Sequence, residues 1–162
     1  MKILVFSDTH GSIDTMHGII SQNRASSDLV IHLGDCWRDI DDVRKDFPQI
    51  AFLGVRGNCD FYPSDNYPQT HRVTLEGHTF FLTHGHMQAI KTHGHSLLVA
   101  QAKRESADIA LFGHTHVGLL KEINGITVFN PGSLERPRDS SGGSYGIITI
   151  KNEKVNFEIR NI

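Results

Sequence analysis

The chain opens with KILVFSDTH, residues 2–10, in which an unbroken β-rich apolar run ends directly in an aspartate and a histidine. A run of this kind is typical of a strand that is buried on both faces. Two more buried strands are predicted at residues 29–33 and 50–55, and apolar residues at helical spacing cover 13–25. A shorter helix is predicted to end before Pro48. This β-α-β-α-β order predicts parallel strands joined by right-handed crossovers.

The remainder of the chain changes to hairpins. After residue 116 the chain is predicted to be antiparallel: Asn124-Gly125 between two apolar runs predicts a type I′ hairpin, and Lys151–Lys154 is predicted to connect another. Residues 85–95, rich in histidine and glycine, are predicted to form a mobile loop. The other predicted elements are a hairpin over 72–83, a helix at 97–106 and a strand at 108–112. Together they predict an α/β fold, a two-sheet mixed β-sandwich flanked by helices, in one domain over residues 1–162.

Composition narrows the functions that the chain could have. The 162 residues fit one domain. The formal net charge of −2 leaves no basic field for an extended nucleic acid, although a metal site could still bind a short phosphate ester. No apolar run is long enough for a membrane span or a secretory leader, and Cys36 and Cys59 make no disulfide framework. We therefore expect a cytoplasmic protein with two free thiols.

Seven side chains that can bind a metal lie in five segments, each placed where a predicted strand ends. Ligands of layered α/β folds collect at the carboxyl ends of strands. Chance would explain one pair of such residues, but an ordered set of five segments is hard to obtain from a structural protein. The predicted ligands are Asp8, His10, Asp35, Asn58, His84, His114 and His116.

The chemistry of this set favours a centre of two metal ions. In an extended chain residues i and i+2 project to one side, so Asp8 and His10 can face one cluster, as can His114 and His116. Asp35 has two oxygens and can bridge two cations about 3.5–4 Å apart, an arrangement that clamps a phosphate. Imidazole and carboxylate ligands without a thiolate suit Mn, Fe, Co, Ni or Zn better than Mg or Ca. With only two ligand carboxylates the site keeps about two positive charges, so a small phosphate ester is the expected substrate.

The order Asp-x-His, Gly-Asp, Gly-Asn, His, Gly-His-x-His resembles that of the calcineurin-like metallophosphoesterase superfamily, from residue 3 to about residue 134. Three segments are more specific and are similar to those of its small single-domain bacterial and archaeal phosphodiesterases: Gly57-Asn58-Cys59-Asp60, His84-Gly85-His86 and Asn130-Pro131-Gly132-Ser133. The resemblance implies a four-layer αββα sandwich, hydrolysis of a phosphate diester by a metal-bridging hydroxide and, usually, manganese. It also implies a homodimer or higher oligomer.

Carried over to this chain, the resemblance divides the seven residues between two divalent ions. One ion would be held by Asp8, His10, Asp35 and His116. The other would be held by Asp35, Asn58, His84 and His114. Of these, Asp35, Asn58 and His84 are expected to be catalytic as well as ligands.

One position departs from the family pattern. Many phosphatases of the superfamily have a histidine after Gly-Asn that assists at the leaving group, and Cys59 stands there in this chain. A thiol with a pKa of about 8.5 is a poor general acid unless it is perturbed, so efficient monoester hydrolysis is not expected. Nearby, Asp60 is expected to orient a ligand. His86 either contacts a ligand or substrate or is a plain loop residue.

Two alternatives to a phosphodiesterase stay open. A phosphomonoesterase or nucleotide pyrophosphatase would use the same ligands, whereas a non-catalytic scaffold of this fold, such as the one in the retromer complex, would tolerate their loss. Outside the predicted ligands, Trp37 either lines a substrate pocket or packs internally, and His32 is expected to be buried with a hydrogen-bond partner. Asp39, Asp41 and Asp42 are expected on a solvated helix face.

Overall fold

The computed structural model describes residues 1–140 and 142–162. In chain order the strands are β1 (Lys2–Phe6), β2 (Leu29–His32), β3 (Ala51–Gly54), β4 (Thr70–Leu75), β5 (His78–Thr83), β6 (Ile109–Leu111), β7 (Gly118–Ile123), β8 (Ile126–Pro131), β9 (Ser144–Lys151) and β10 (Lys154–Asn161). The helices are α1 (Ile13–Asn23), α2 (Arg38–Val43), α3 (Ile90–His93) and α4 (Ser96–Arg104), with a 3₁₀ turn at Arg44–Asp46. No helix in these described ranges combines the length and the apolar character needed to cross a membrane.

The first sheet has the strand order β10-β9-β1-β2-β3. Its strands β1, β2 and β3 are parallel, with Ile3 paired to Leu29 and Leu29 paired to Ala51, as the β-α-β-α-β order predicted. The last hairpin joins this sheet because β9 pairs antiparallel with β1. The carboxyl ends of the three parallel strands therefore lie along one edge.

The second sheet has the order β4-β5-β6-β8-β7. Its hairpins are antiparallel, and the predicted turn between β7 and β8 has Asn124 and Gly125 at φ of 52° and 80°, as a type I′ turn requires. The prediction that the chain is purely antiparallel after residue 116 is wrong, because β8 also pairs in parallel with β6. This sheet is therefore mixed as well, and the carboxyl ends of β5 and β6 share an edge.

Buried apolar side chains hold four layers together. Between the sheets the core includes Ile3, Val5, Phe80, Leu82 and Phe129. The outer face of the first sheet is covered through Leu4, Phe6, Met16, Ile20 and Val43, from β1, α1 and α2. The outer face of the second is covered through Phe81, Leu98, Ala102 and Val128, from β5, α4 and β8. The predicted two-sheet sandwich flanked by helices is confirmed.

The predicted loop at residues 85–95 is partly wrong, since it contains the short helix α3. Ile90 is buried in one cluster with Leu98 and Phe112, which fixes the segment to the second sheet. Gly94 follows the helix at a φ of 64°. Gln88 is buried as well and donates a hydrogen bond to Gln101, so Ile90 is not the only residue that orders this segment.

Candidate metal centre

The seven predicted ligands converge where the strand ends of the two sheets face each other. The segments after β1, β2 and β3 carry Asp8, His10, Asp35 and Asn58. The segments after β5 and β6 carry His84, His114 and His116. Both sheets therefore contribute to one site, and neither sheet contains it alone.

Distances divide the site into a compact group and its neighbours. The donor atoms of Asp8, His10, Asp35 and His116 all lie within 4.8 Å of one another. The Nε2 atom of His84 lies 3.5 Å from Oδ1 of Asp35 and 3.9 Å from Oδ1 of Asp8. Asn58 and His114 line the same cleft, of about 330 Å³, as His10, Asp35 and His116. Asp35 thus belongs to the compact group and also lies near His84.

The backbone of the site is turned sharply rather than extended. Five of the seven candidate ligands have a left-handed φ between 46° and 66°: Asp8, His10, Asp35, His114 and His116. The prediction that Asp8 and His10, and His114 and His116, project to one side from an extended chain is therefore wrong, because their backbone is left-handed. Such backbone costs about 1–3 kcal/mol per residue and clusters at functional sites.

Two glycines permit a close approach of the loops. A Cβ on Gly113 would overlap the hydroxyl of Ser7, and a Cβ on Gly57 would overlap the carboxylate of Asp35. Neither glycine has a positive φ, so their role is space, whereas Gly34 at a φ of 93° supplies the turn before Asp35.

Three buried polar atoms of the site make no hydrogen bond of good geometry among the described residues: Asp8 Oδ1, which lies 3.0 Å from Nε2 of His116, His10 Nε2 and His84 Nε2. The other oxygen of Asp8 is fixed, since Oδ2 accepts hydrogen bonds from the Ser7 hydroxyl at 2.6 Å and from the His114 amide at 3.0 Å. An unpaired buried polar atom costs about 1–3 kcal/mol. Oxygen and nitrogen atoms converging in this way fit a divalent cation.

Hydrogen bonds on the far side of two imidazoles set their tautomers. The Nδ1 atom of His84 lies 2.7 Å from the carbonyl oxygen of Leu33, and that of His116 lies 2.6 Å from the carbonyl oxygen of Arg136. A carbonyl only accepts, so each Nδ1 carries a proton and each Nε2 faces the site. Metal-binding histidines are oriented in the same way.

The surroundings favour ionised carboxylates at Asp8 and Asp35, neutral imidazoles at His10 and His114, and a protonated imidazole at His84. Burial acts to raise the pKa of Asp8 and Asp35, but hydrogen bonds and attraction from neighbouring histidines outweigh it and hold both below the ordinary range. Burial lowers the pKa of His10, and lowers that of His114 to about 4. Burial also acts to lower the pKa of His84, but the carboxylates of Asp35 and Asp8 raise it overall. In the metal-free protein a proton on His84 therefore competes with a cation.

Asp60 ties the loop after β2 to the loop after β3. Its Oδ1 accepts hydrogen bonds from the amides of Cys36 and Trp37, at 2.8 and 3.2 Å. Its Oδ2 accepts from the amides of Asp35 and Gly57, at 3.0 and 2.7 Å. One carboxylate thus positions the backbone of Asp35.

Cys59 lies at the cleft as a neutral thiol. Its amide donates to Oδ1 of Asp35 at 2.8 Å, and its sulfur accepts a hydrogen bond from the Asn58 amide group at 3.5 Å. Burial and then the neighbouring Asp35 raise the pKa of Cys59 to about 11. Cys36 and Cys59 are both free, as the sequence predicted.

His86 lies beside the centre but does not line the cleft. Its ring centroid is 5.5 Å from that of His84 and 6.2 Å from that of His114. Its buried Nδ1 atom has no hydrogen-bond partner among the described residues. His86 is therefore a neighbour of two candidate ligands rather than a member of the compact group.

Asp39 is buried, although its sequence position predicted a solvated helix face. The prediction of a solvated acidic face holds for Asp42, which is exposed, but Asp39 is only 6% exposed. Its Oδ2 accepts hydrogen bonds from the Thr9 hydroxyl at 2.6 Å and the Gly11 amide at 3.0 Å, and so supports the segment that carries His10. No local pattern in the sequence marks this role, because the partners are about thirty residues away.

Three cations line the cleft together with the candidate ligands: Lys91, Arg136 and Arg138. The Nζ atom of Lys91 lies 3.5 Å from Nδ1 of His114. The two arginines follow Ser133, whose hydroxyl donates to the carbonyl oxygen of Asp8 at 2.8 Å and so fixes this segment to the site. Sequence reasoning missed both arginines, although their position just after the Pro131-Gly132-Ser133 turn was a usable signal.

Comparison with known proteins agrees with this geometry. Residues 1–153 match the sequence profile of the calcineurin-like phosphoesterase superfamily domain. The chain is 31% identical over 156 residues to the probable metallophosphoesterase YsnB of Bacillus subtilis, covering 94% of this chain and 86% of that protein. It is 28% identical over 168 residues to the phosphodiesterase YfcE of Escherichia coli K12, covering 91% and 87%. A crystal structure of a predicted phosphoesterase from Streptococcus pneumoniae has a TM-score of 0.81 at 26% identity, covering 99% and 88%.

Proposed function

We propose that this chain, which belongs to the calcineurin-like phosphoesterase superfamily, hydrolyses phosphodiesters with two divalent metal ions. Its relatives in the superfamily are metal-dependent phosphoester hydrolases, which supports the proposal. The observation that carries the proposal is the set of buried polar atoms that make no hydrogen bond of good geometry among the described residues, on Asp8, His10 and His84. Manganese is the proposed metal, with Fe, Ni, Co and Zn compatible with the same imidazole and carboxylate donors.

We assign the ligands as two sets that share Asp35. The first ion would be held by Asp8, His10, Asp35 and His116, the group whose donor atoms lie within 4.8 Å of one another. The second would be held by Asp35, Asn58, His84 and His114, of which His84 lies 3.5 Å from Asp35. When bound, the ions would supply the positive charge that polarises the phosphoryl oxygens and lowers the pKa of the attacking water to about 7.

The protein's own residues would bind the substrate and prepare the site. Lys91, Arg136 and Arg138 line the cleft and would attract an anionic ester and orient its free oxygens. The Nδ1 atoms of His84 and His116 are hydrogen-bonded to backbone carbonyls before any ion binds, which directs each Nε2 toward the site, and a proton on His84 would leave when an ion binds.

A diester is the proposed substrate because the site lacks an evident proton donor for a poor leaving group. Cys59 stands at the position where many relatives have a histidine, and its neutral thiol has a pKa raised to about 11. Activated diesters need little help from a general acid, whereas unactivated monoesters need much more. The name of the relative YfcE, a phosphodiesterase, also supports this choice.

The test is a substrate panel on metal-stripped protein that is reloaded with single cations. We expect kcat/KM for bis(p-nitrophenyl) phosphate, an activated diester, to exceed that for glycerol 2-phosphate, an unactivated monoester, with manganese most active. Asp35→Asn should lower metal content and abolish turnover while the fold persists, and Asp42→Asn, on the exposed helix face, serves as its control.

Each contrary result has a defined meaning. Full occupancy and near-normal activity in Asp35→Asn would defeat the bridging assignment. A clear preference for the monoester would favour the phosphomonoesterase alternative. Absence of turnover with two bound metals verified would favour a scaffold.

A further inference from the structure

We infer that a pocket beside the metal centre binds a planar heteroaromatic group of the substrate, such as a nucleobase; this rests on the proposed function. The pocket, here called the aromatic pocket, is formed by Trp37, Arg38, Phe61 and Tyr62. Cys59 lines both this pocket and the metal cleft, so the two are adjacent. A diester with its phosphorus at the cleft can therefore place one substituent in the aromatic pocket.

The floor of the pocket is a fixed stacking platform. The indole of Trp37 stacks on the ring of Tyr67, with centroids 4.7 Å apart and planes inclined by 25°. Tyr67 is only 3% exposed, and its hydroxyl donates to Asp41 at 2.8 Å. The amide of Trp37 donates to Asp60 at 3.2 Å. The platform is therefore held in place before any ligand binds.

The walls of the pocket are aromatic and exposed. Phe61 is 86% exposed and Tyr62 is 66% exposed, which are high values for large aromatic side chains. The guanidinium carbon of Arg38 lies 5.7 Å from the ring centroid of Trp37 and 5.0 Å from that of Tyr62. Aromatic rings and arginine planes are the groups on which proteins stack unpaired bases.

The charges of the pocket select the class of ligand. Asp39 and Asp60 also line it, but their carboxylates accept hydrogen bonds from the loops after β1, β2 and β3. None of the salt bridges found among residues 1–140 and 142–162 involves Arg38, which leaves its donors for a ligand. An arginine beside aromatic rings suits a planar base with acceptor atoms and disfavours a cation.

The size of the pocket points to one ring system. Its volume is about 240 Å³. Sites that hold drug-sized ligands span roughly 300–1,000 Å³. A single base therefore fits better than a folded peptide segment or a lipid chain.

Trp37 is the sole tryptophan of the chain, so its fluorescence reports occupancy of the pocket directly. Manganese-loaded protein would be titrated with adenosine 5′-monophosphate and with ribose 5-phosphate. Both contain the phosphate and the sugar, but only the first has a base. We expect the nucleotide to quench Trp37 and to bind roughly 5- to 150-fold more tightly, the factor for about 1–3 kcal/mol per stacked base.

Variants separate stacking from general binding. Tyr62→Ala and Arg38→Ala should each reduce the ratio of the two dissociation constants toward one. Leu120→Ala removes a side chain that is 51% exposed on β7 and should leave the ratio unchanged. Equal affinities of the wild type for the two monophosphates, or a ratio that survives both pocket variants, would overturn the inference.

Turnover of methyl p-nitrophenyl phosphate on the same preparation tests the proposed function independently. Metal-dependent turnover combined with equal affinities rejects the aromatic pocket and leaves the hydrolase. Absence of turnover with verified metals rejects the proposed function, and a preference for the nucleotide that depends on Tyr62 would then still support the pocket.

Discussion

Asp60→Asn tests whether one carboxylate fixes the geometry of the metal centre. Asparagine has the same shape but only one acceptor oxygen, so its NH₂ group would face two of the four backbone amides that Asp60 now binds. Hydrogen bonds to charged groups contribute about 1.5–3 kcal/mol and neutral ones about 0.5–1.5 kcal/mol. Two lost bonds remove about 3 kcal/mol, taken at the low end because the donors are partly buried, and weakening of the other two removes about 1 kcal/mol. We expect the free energy of unfolding to fall by about 4 kcal/mol.

The fall would be measured by urea unfolding of metal-free protein followed by circular dichroism. Isothermal titration with manganese should show an affinity lowered by roughly 10- to 100-fold, the usual effect of removing a group that orients a ligand. Asp42→Asn is the matched control, because Asp42 is exposed and accepts one hydrogen bond, at 3.2 Å from Lys45. Its unfolding free energy should change by no more than about 0.5 kcal/mol. A value for Asp60→Asn within about 1 kcal/mol of the wild type, with unaltered metal affinity, would refute the reasoning.

Three further predictions use the same assays. Cys59→Ala should retain its bound metal and keep diester turnover within roughly tenfold of the wild type. Cys59→His should raise monoester hydrolysis by up to roughly 10²-fold. Loss of diester cleavage in Cys59→Ala with metal still bound would reveal a chemical role for the thiol. Gly113→Ala should destabilise the protein by about 1–3 kcal/mol, because the added carbon would overlap Ser7. Gly18→Ala is the control: it lies in α1 with nothing within 4 Å of the added carbon, and it should stabilise the protein by about 0.5–1 kcal/mol. Equal effects of the two substitutions on stability would contradict the close approach at Gly113. The pKa of His84 is raised above the ordinary histidine value of about 6.5, so an ion that binds His84 must displace a proton. Manganese affinity should therefore fall as the pH is lowered through this pKa. A constant affinity with no proton release between about pH 5 and 8 would contradict this prediction.

Features that depend on contiguous residues could be predicted from the sequence. The apolar run of β1, followed by Ser7 and Asp8, predicts both a buried strand and a candidate ligand just beyond its carboxyl end. Asn124-Gly125 likewise predicts the turn between β7 and β8, because the turn depends only on these adjacent residues. His32 lies inside a buried strand, and it is fully buried with Nε2 3.0 Å from the Thr9 hydroxyl, as expected.

Features that depend on distant segments could not be predicted in this way. Asp39 has a sequence environment typical of an exposed helix, and only the arrival of Thr9 and Gly11 beside it makes it buried. The left-handed backbone at Asp8 and His10, with φ of 54° and 46°, is not marked by any glycine at these positions, so the sequence did not predict it. The pairing of β9 with β1 likewise depends on two strands at opposite ends of the described chain.

The two sheets differ in how far apart in the chain their strands lie, and this has a consequence for assembly during synthesis. The strands of the second sheet occupy one continuous stretch, from Thr70 to Pro131, so that sheet needs no segment from outside it. The first sheet needs Ile3 to pair with Ile148, a separation that makes closure slow. A ribosome-bound chain that stops before β9 therefore leaves β1 with an open edge, and the ligands that β1 carries lack their final support. We therefore expect stalled nascent chains of increasing length to begin to retain manganese only once β9 has emerged.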